Sequence, residues 1–328
     1  MVKYFKQILI ILVVLIIAFA LVQNQNNKVY AKSDPVEYWA VIVGVADYLY
    51  FDSSPLFPKP MKGYDLVYSD NDSIELANRL RSIWGADHIK LLVDTQATKS
   101  SIQNAITGWL DSKEDENDVV LFYFSGHGQQ ESNDGYAIWP YNTFSTSDKN
   151  EIRDDMLDSW LRCLESSQQV IIIDSCNSGG FIEELYQYGR VILTSCSKNE
   201  DSYENSSLGH SIFTYYFLDA FNNLDSVDDN NDNSISIQEV FNWAESKTVS
   251  SAKTQLRAQN PKICDCNYEQ IGLVNIINNN NQVQPYVVCF ITVVTIVFSI
   301  IVWNKYQSLK RVVEGMGESV SADIRWAY

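Results

Sequence analysis

The chain has 328 residues, and 46% of them are apolar, which is enough for one large domain or two ordinary ones. A formal net charge of −17 argues against a nucleic acid partner, because phosphate binding needs a basic face. An acidic surface fits a well-solvated exterior, cationic substrates or metal ions.

The N-terminal residues 1–31 have the pattern of a targeting segment. Lys3 and Lys6 flank the start of an apolar stretch over 8–22, and Val29-Tyr30-Ala31 offers small residues where a signal peptidase reads. The pattern fits a cleaved signal peptide or an uncleaved anchor, and both remain open.

Strands and helices alternate over residues 36–277, which we interpret as one domain. Predicted strands cover 37–45, 89–93, 119–124, 136–140, 170–173 and 191–194, and predicted helices cover 69–84, 98–110, 156–164 and 212–221. Helical spacing assigns an inward face to Ile74, Ala77, Leu80 and Ile83 in the first helix. The same spacing assigns one to Ile102, Ala105, Ile106 and Trp109 in the second helix, which Thr98 or Ser100 caps. Such alternation predicts a mostly parallel sheet covered by helices on both faces.

Two of these strands run directly into small polar turns. The strand over 119–124 leads into Ser125-Gly126-His127-Gly128, and the strand over 170–173 leads into Asp174-Ser175-Cys176-Asn177-Ser178-Gly179-Gly180. Reactive side chains collect beyond the carboxyl ends of parallel strands. An imidazole base beside a thiol nucleophile would support covalent catalysis. The other two histidines, His88 and His210, are expected to have surface roles.

The two turns resemble the catalytic signature of the caspase-like cysteine peptidases, the group of metacaspases, legumains and clostripain. Asp-Ser-Cys-x-Ser-Gly-Gly is most similar to metacaspases and their prokaryotic relatives. The resemblance covers roughly residues 37–274. It implies the caspase-like α/β fold, with Cys176 as nucleophile, His127 as base, and the N–H groups of Gly128 and Cys176 as the oxyanion hole. No cofactor or metal is required for that chemistry.

The resemblance also implies a substrate pocket lined by two carboxylates. Asp72 and Asp174 would favour arginine or lysine before the cleaved bond through charge pairing. Asp72 has an equally weighted alternative role as a helix cap. Another wall of the pocket would include Ser195 and Asp201.

A twelve-residue segment, 228–239, matches a calcium-binding loop. Its oxygen-bearing residues are Asp228, Asn230, Asp232, Ser234, Ser236 and Glu239. Asn233 replaces the usual glycine at position six, and asparagine tolerates the left-handed conformation required there. The segment predicts a Ca²⁺ site flanked by helices, with an acidic surface loop as the alternative.

The C-terminal part has the pattern of a membrane anchor. An asparagine-rich linker, 278–285, precedes an apolar run over 286–303, and Lys305, Lys310 and Arg311 follow in the tail 304–328. The run is long enough for one transmembrane helix, and the positive charges predict a cytoplasmic tail. The domain over 36–277 is therefore expected outside the cytoplasm, anchored to the cell membrane.

Together these features predict a membrane-anchored cysteine endopeptidase that cleaves polypeptides. Such an enzyme would lose its cleavage activity on the Cys176→Ala substitution. One alternative is a transamidase that transfers the acyl group to an amine, as in the attachment of lipid anchors. Another is a catalytically dead, calcium-dependent surface binding module. Cys163, Cys196, Cys264 and Cys266 remain for one or two disulfides, with no pairing specified.

Overall fold

The computed structural model describes residues 35–49, 65–131, 135–143, 150–266, 270–275 and 297–314. The chain divides after Ile276 into two compact units. The predicted targeting segment, the linker 278–285 and residues 286–296 of the predicted membrane span lie outside the described residues.

The strands of the first unit form one large sheet and three small ones. In chain order they are β1 Tyr38–Gly44, β2 Ile89–Val93, β3 Val119–Ser125, β4 Gly128–Gln130, β5 Tyr136–Ile138, β6 Ile152–Arg153, β7 Gln168–Asp174, β8 Arg190–Thr194, β9 Glu204–Asn205, β10 His210–Ser211, β11 Ser234–Ser236, β12 Lys262–Asp265 and β13 Gly272–Asn275. The large sheet has the order β12-β8-β7-β3-β1-β2. Its strands pair in parallel except β12, which is antiparallel to β8.

The helices are α1 Ser69–Trp84, α2 Lys99–Asn104, α3 Asp154–Leu161, α4 Phe181–Leu185, α5 Ile212–Ala220, α6 Leu224–Val227 and α7 Ile237–Thr254. They cover both faces of the sheet, as predicted. Val41 and Val43 of β1 belong to one buried cluster with residues of α2, α3 and α4. Ala40 and Ile42 belong to another with residues of α1, α5 and α7. This alternation follows from the two-residue repeat of a strand, and it explains why the central strands are apolar throughout.

The first helix corrects the predicted inward face. Leu76, Ala77 and Leu80 are buried, whereas Ile74 and Ile83 are 38% and 37% exposed. The predicted residues are spaced three apart, whereas the helix has 3.6 residues per turn. Residues at that spacing therefore move progressively off the buried face. For the second helix, Thr98 is the cap, because its hydroxyl accepts a bond from the Ser101 amide at 3.2 Å. That helix continues beyond Asn104 as a π-helical segment, Ala105–Leu110.

A buried arginine anchors the start of β8. The Arg190 side chain is 1% exposed, and its Nη1 lies 2.6 Å from Asp158 Oδ1 in α3. Arg190 also donates to Gln169 Oε1 at 2.9 Å and to the Leu185 carbonyl at 3.0 Å. The other Asp158 oxygen contacts Arg162, which is 54% exposed. The buried charge is thus compensated by groups from three neighbouring elements.

The second unit is described only over residues 297–314, which form the helix α8. The helix continues past the predicted span and includes Lys305, Lys310 and Arg311. Among the described residues, no helix is both long enough and apolar enough to cross a bilayer.

Candidate active site

The sheet register brings the two polar turns together. Ser125, the last residue of β3, lies beside Asp174, the last residue of β7. His127 and Cys176 each follow two residues later, so both lie beyond the same end of the sheet. Gly128 lies against the second turn: a Cβ added there would be 2.3 Å from Ser175 Oγ and 2.8 Å from the Cys176 carbonyl oxygen. The turns therefore pack so closely that a side chain at position 128 has no space.

Aromatic residues surround the half-buried His127. Its amide donates to the Tyr48 hydroxyl at 2.8 Å, and the two rings have centroids 5.0 Å apart. The ring of Trp139 approaches edge-on, with its centroid 5.7 Å away. Tyr48 follows the carboxyl end of β1, so strands β1 and β3 both contribute to this surrounding.

The Cys176 thiol is half-buried and donates to the Ser202 carbonyl across 3.7 Å. Burial raises its pKa to about 12, and the negative charge of Asp201 adds to the rise. A thiol with this pKa is neutral at physiological pH. The arrangement therefore requires a base to take the thiol proton before the sulfur can act as a nucleophile.

The backbone after Cys176 is sharply turned. Asn177 has a φ of 58°, in the left-handed region that asparagine tolerates better than most residues. A Cβ added at Gly179 would be 2.7 Å from the Lys198 amide nitrogen and 2.8 Å from the Cys196 carbonyl oxygen. The glycine thus allows this turn to pack against the segment that follows β8.

The two predicted pocket carboxylates lie next to each other in a buried hydrogen-bond network. Ser125 Oγ donates to Asp72 Oδ2 at 3.1 Å. The Ser211 amide donates to both Asp72 oxygens, at 3.2 and 3.3 Å, while its hydroxyl donates to Asp174 Oδ2. Ser202 Oγ donates to Asp174 Oδ1 at 2.7 Å. Ser211 therefore bridges the two carboxylates.

Asp72 does not cap its helix. The N-cap position is Tyr68, and it has no side-chain capping bond. Asp72 is instead fully buried, and burial raises its pKa to about 6, although the His210 hydrogen bond opposes the rise and the charge of Asp174 adds to it. Asp72 therefore does not have the capping role, and both of its oxygens accept hydrogen bonds from within the fold.

His88 and His210, for which surface roles are expected, are each partly exposed and contact specific partners. His210 Nδ1 lies 2.8 Å from Asp72 Oδ1, its Nε2 lies 3.1 Å from Glu75 Oε2, and its side chain is 12% exposed. The bond to Asp72 raises the pKa of His210. The His88 ring stacks on Trp39 with centroids 4.0 Å apart. The surroundings of both histidines are thus formed by residues far away in the sequence, Asp72 and Glu75 for His210 and Trp39 for His88.

The remaining pocket candidates differ in exposure. Ser195 is fully buried, and its hydroxyl donates to the Ser175 carbonyl at 3.4 Å. It therefore contacts the turn that carries Cys176 and does not line an open wall. Asp201 is exposed and raises the pKa of Cys176. Its position beside the thiol is compatible with the wall predicted for it.

Hydrogen bonds from backbone amides to side-chain oxygens of the same segment stabilise the predicted calcium loop. The Asp232 amide donates to Asn230 Oδ1 at 2.8 Å and to Asp228 Oδ1 at 3.1 Å, and the Asn233 amide donates to Asp228 Oδ2 at 3.0 Å. Glu239 instead forms a capping box with Ser236 at the start of α7. Within the described part of the chain, no group of three or more His, Cys, Asp or Glu side chains is arranged to hold a metal ion.

The sequence did not identify two contributors to this site, Tyr48 and Ser211. Neither carries a distinctive motif, and each reaches the site from a different element. Only the position of Tyr48, just after a predicted strand, gave a signal, because the carboxyl ends of parallel strands meet at one edge.

A helix-covered, mostly parallel six-stranded sheet with a histidine turn and a cysteine turn at one end defines a caspase-like α/β protein. The caspase domain model matches residues 37–270, so the chain belongs to the caspase domain family, a family of cysteine peptidases.

Individual relatives agree with this assignment. The chain is 31% identical over 145 residues to metacaspase-1 of Plasmodium falciparum, and the alignment covers 38% of this chain and 23% of that protein. The structure resembles protein GSU0716 from Geobacter sulfurreducens, with a TM-score of 0.51, 14% identity, and 73% of this chain and 99% of that chain covered. It also resembles caspase-1 from Spodoptera frugiperda, with a TM-score of 0.50, 11% identity, and 74% of this chain and 92% of that chain covered. At these identities, the two structural likenesses concern the fold alone.

Proposed function

We propose that the protein is a cysteine endopeptidase that cleaves polypeptides through Cys176 and His127. The proposal depends on one observation, the register of β3 and β7 that sets the two turns side by side. His127 would take the thiol proton as Cys176 attacks the substrate carbonyl. The same histidine would then protonate the leaving amine, and water would hydrolyse the thioester. The N–H groups of Gly128 and Cys176 would stabilise the oxyanion.

The resting thiol fits this sequence of events. Because burial raises the Cys176 pKa to about 12, the resting thiol is protonated, and His127 would have to take its proton for the sulfur to attack. The bond to the Ser202 carbonyl must also break before the sulfur reaches a substrate. Substrate binding beside residues 201–203 would displace this contact and free the thiol.

Cleavage of fluorogenic peptides tests the assignment. Cys176→Ala is expected to reduce cleavage to the assay background and to abolish labelling by a thiol-directed acyl probe. His127→Ala is expected to lower kcat/KM by roughly 10²–10⁴-fold, the usual contribution of a general base. Cys163→Ala is the matched control, because Cys163 is exposed. Retained cleavage in Cys176→Ala would refute the proposed nucleophile.

The pocket carboxylates favour substrates with a basic residue before the cleaved bond. Asp72 and Asp174 contribute two adjacent acidic groups, which suit the charge and the donors of a guanidinium or ammonium group. Both are buried, so a substrate side chain would have to replace part of their present network. A peptide library should show at least tenfold higher kcat/KM for Arg or Lys than for Asp or Asn, which corresponds to about 1.4 kcal/mol. Equal rates would contradict the assignment of Asp72 and Asp174.

Calcium binding at residues 228–239 is a separate part of the proposal. The Asn233 φ of 65° fits the left-handed position six of such a loop. Glu239 would have to leave its capping box to become the last ligand. Isothermal titration should detect Ca²⁺ binding that Asp228→Asn weakens. No heat of binding at millimolar Ca²⁺ would refute this part and leave the peptidase assignment unaffected.

Membrane attachment through residues 286–303 completes the proposal. This part of the proposal is supported by the uncharged apolar run. At its C-terminal end, the large apolar side chains are exposed: Phe298, Ile300, Ile301, Val302 and Trp303. Alkaline extraction of cell membranes should leave the full-length chain in the pellet. Added protease should reach the peptidase domain but not a C-terminal tag. Release by alkali, or protection of the domain, would contradict this topology.

A further inference from the structure

Two cysteines lie together at an edge of the large sheet, away from the two turns. The Cys264 and Cys266 sulfurs are 3.0 Å apart, closer than an ordinary non-bonded contact between sulfur atoms. Cys264 is in β12, and Cys266 follows the last residue of that strand. Both side chains are partly exposed, so a small reagent can reach them.

We propose that Cys264 and Cys266 form a reversible disulfide by exchange with a low-molecular-weight disulfide such as oxidised glutathione. The position of the pair at the end of a strand supports this reaction. Residues two apart in an extended strand have Cα atoms near the upper limit for a disulfide, about 6.8 Å. Cys266 lies just past β12, where the chain can bend enough to bring the sulfurs into bonding distance.

Neighbouring contacts hold the pair in place but leave it free to react. The Cys266 amide donates to the Arg190 carbonyl at 3.0 Å, and the Cys266 carbonyl accepts from the Gly189 amide at 3.2 Å. Cys264 is fixed by pairing of β12 with β8, opposite Ile192. These contacts hold both backbones, so the two thiols are preorganised and little chain entropy is lost when they join.

The order of reaction follows from the positions of the two thiols. Cys264 is held within β12, whereas Cys266 lies just past its end and is the first to attack. Burial and the adjacent Cys266 also raise the pKa of the Cys264 thiol, which suits it to the second step. Cys266 attacks one sulfur of the external disulfide, which forms a mixed disulfide and releases one thiol. Cys264 then loses its proton and attacks the Cys266 sulfur, which releases the second thiol. Two protein thiols are thereby oxidised, and one external disulfide is reduced to two thiols.

This site is independent of the proposed peptidase chemistry, because neither sulfur belongs to the turns at the end of β3 and β7. Its disulfide closes a very small ring and is partly accessible, two features typical of disulfides that are easily reduced. The pair is therefore expected to respond to the thiol–disulfide balance of its surroundings and not to act as a permanent cross-link.

Mass spectrometry of the full-length protein tests the proposal. The protein is treated with oxidised or reduced glutathione, alkylated, and digested after Lys262 and Glu269. The resulting peptide, residues 263–269, contains both cysteines and no other. We expect it to lack two hydrogen masses and to resist alkylation after oxidation, and to take up two alkyl groups after reduction. Full alkylation of both thiols after oxidation would overturn the proposal.

Single substitutions separate the internal disulfide from other products. Cys264→Ser should leave a glutathione adduct on Cys266, because the second attack cannot occur. Cys163→Ser should form the internal disulfide as the wild type does. A stable double glutathione adduct in the wild type, or cross-linking of either residue to another cysteine, would also overturn the proposal. Both of these overturning results would be seen in wild-type protein and therefore do not depend on how the variants fold.

Discussion

Replacement of the buried carboxylate Asp72 by asparagine should change how the stability of the fold depends on pH. Asp72 is fully buried beside Asp174, and its pKa is raised from 3.8 to about 6. The shift is roughly two units, or about 3 kcal/mol at about 1.4 kcal/mol per unit. Ionisation of Asp72 therefore costs the folded protein about that much relative to the unfolded chain.

The sign of the effect follows from proton binding in the two states. Between about pH 4 and pH 6, the folded protein keeps a proton on Asp72 that the unfolded chain has already lost. The stability contributed by this group is complete below the unfolded pKa of 3.8 and is lost as the pH rises through the folded pKa of about 6. The amide of Asp72→Asn does not titrate. The substitution also removes acceptors for His210 and Ser211, which lowers stability at every pH. It removes the bond that raises the pKa of His210 as well, and this change makes the difference between variant and wild type rise further with pH.

Urea unfolding followed by tryptophan fluorescence measures the difference. The free energy of unfolding of Asp72→Asn minus that of the wild type should rise by about 2 kcal/mol from pH 4 to pH 6, the larger part of the full shift of about 3 kcal/mol. Asp111→Asn, at an exposed position, is the control and should give a much flatter difference. A flat or falling difference for Asp72→Asn would refute the view that Asp72 is ionised against the cost of burial.

Two further predictions compare substitutions at matched sites. Gly128→Ala should abolish peptide cleavage and lower the melting temperature, because its Cβ would overlap Ser175 Oγ, whereas Gly108→Ala, with no atom within 4 Å, should preserve both. Normal cleavage by Gly128→Ala would show that the two turns need not pack closely. Arg190→Ala should lower the free energy of unfolding by about 3–5 kcal/mol, because it removes the buried partner of Asp158. Arg162→Ala removes the exposed partner of the same carboxylate and should cost at most about 1 kcal/mol in urea unfolding. Equal losses would contradict the distinction between the buried and the exposed ion pair.

The central strands and the position of the turns were predictable because local sequence determines them. A run such as Val119–Phe124 is apolar at every position, which suits a strand covered on both faces. Strand ends, and hence the positions of His127 and Cys176, follow directly. The Thr98 cap and the inward face of its helix also depend on neighbours within a few residues.

The environment of the site depends on contacts between distant parts of the chain and was not predictable. His210 contacts Asp72 across 138 positions, and Ser202 reaches Asp174 across 28. Neither hydrophobic periodicity nor a sequence motif predicts contacts between residues so far apart in the chain. The antiparallel strand β12 was also missed, because two partly buried residues between two exposed ones give no alternation of apolar and polar side chains.

The two edge strands of the large sheet, β2 and β12, affect whether molecules of the protein associate at high concentration. An unpaired strand edge is a template for association with another chain, and charged side chains oppose that association. Exposed Lys90 lies on β2, and exposed Lys262 and Asp265 lie on β12. Charges at both margins disfavour continuous sheet growth between molecules, which protects the protein from fibril formation at high local concentration.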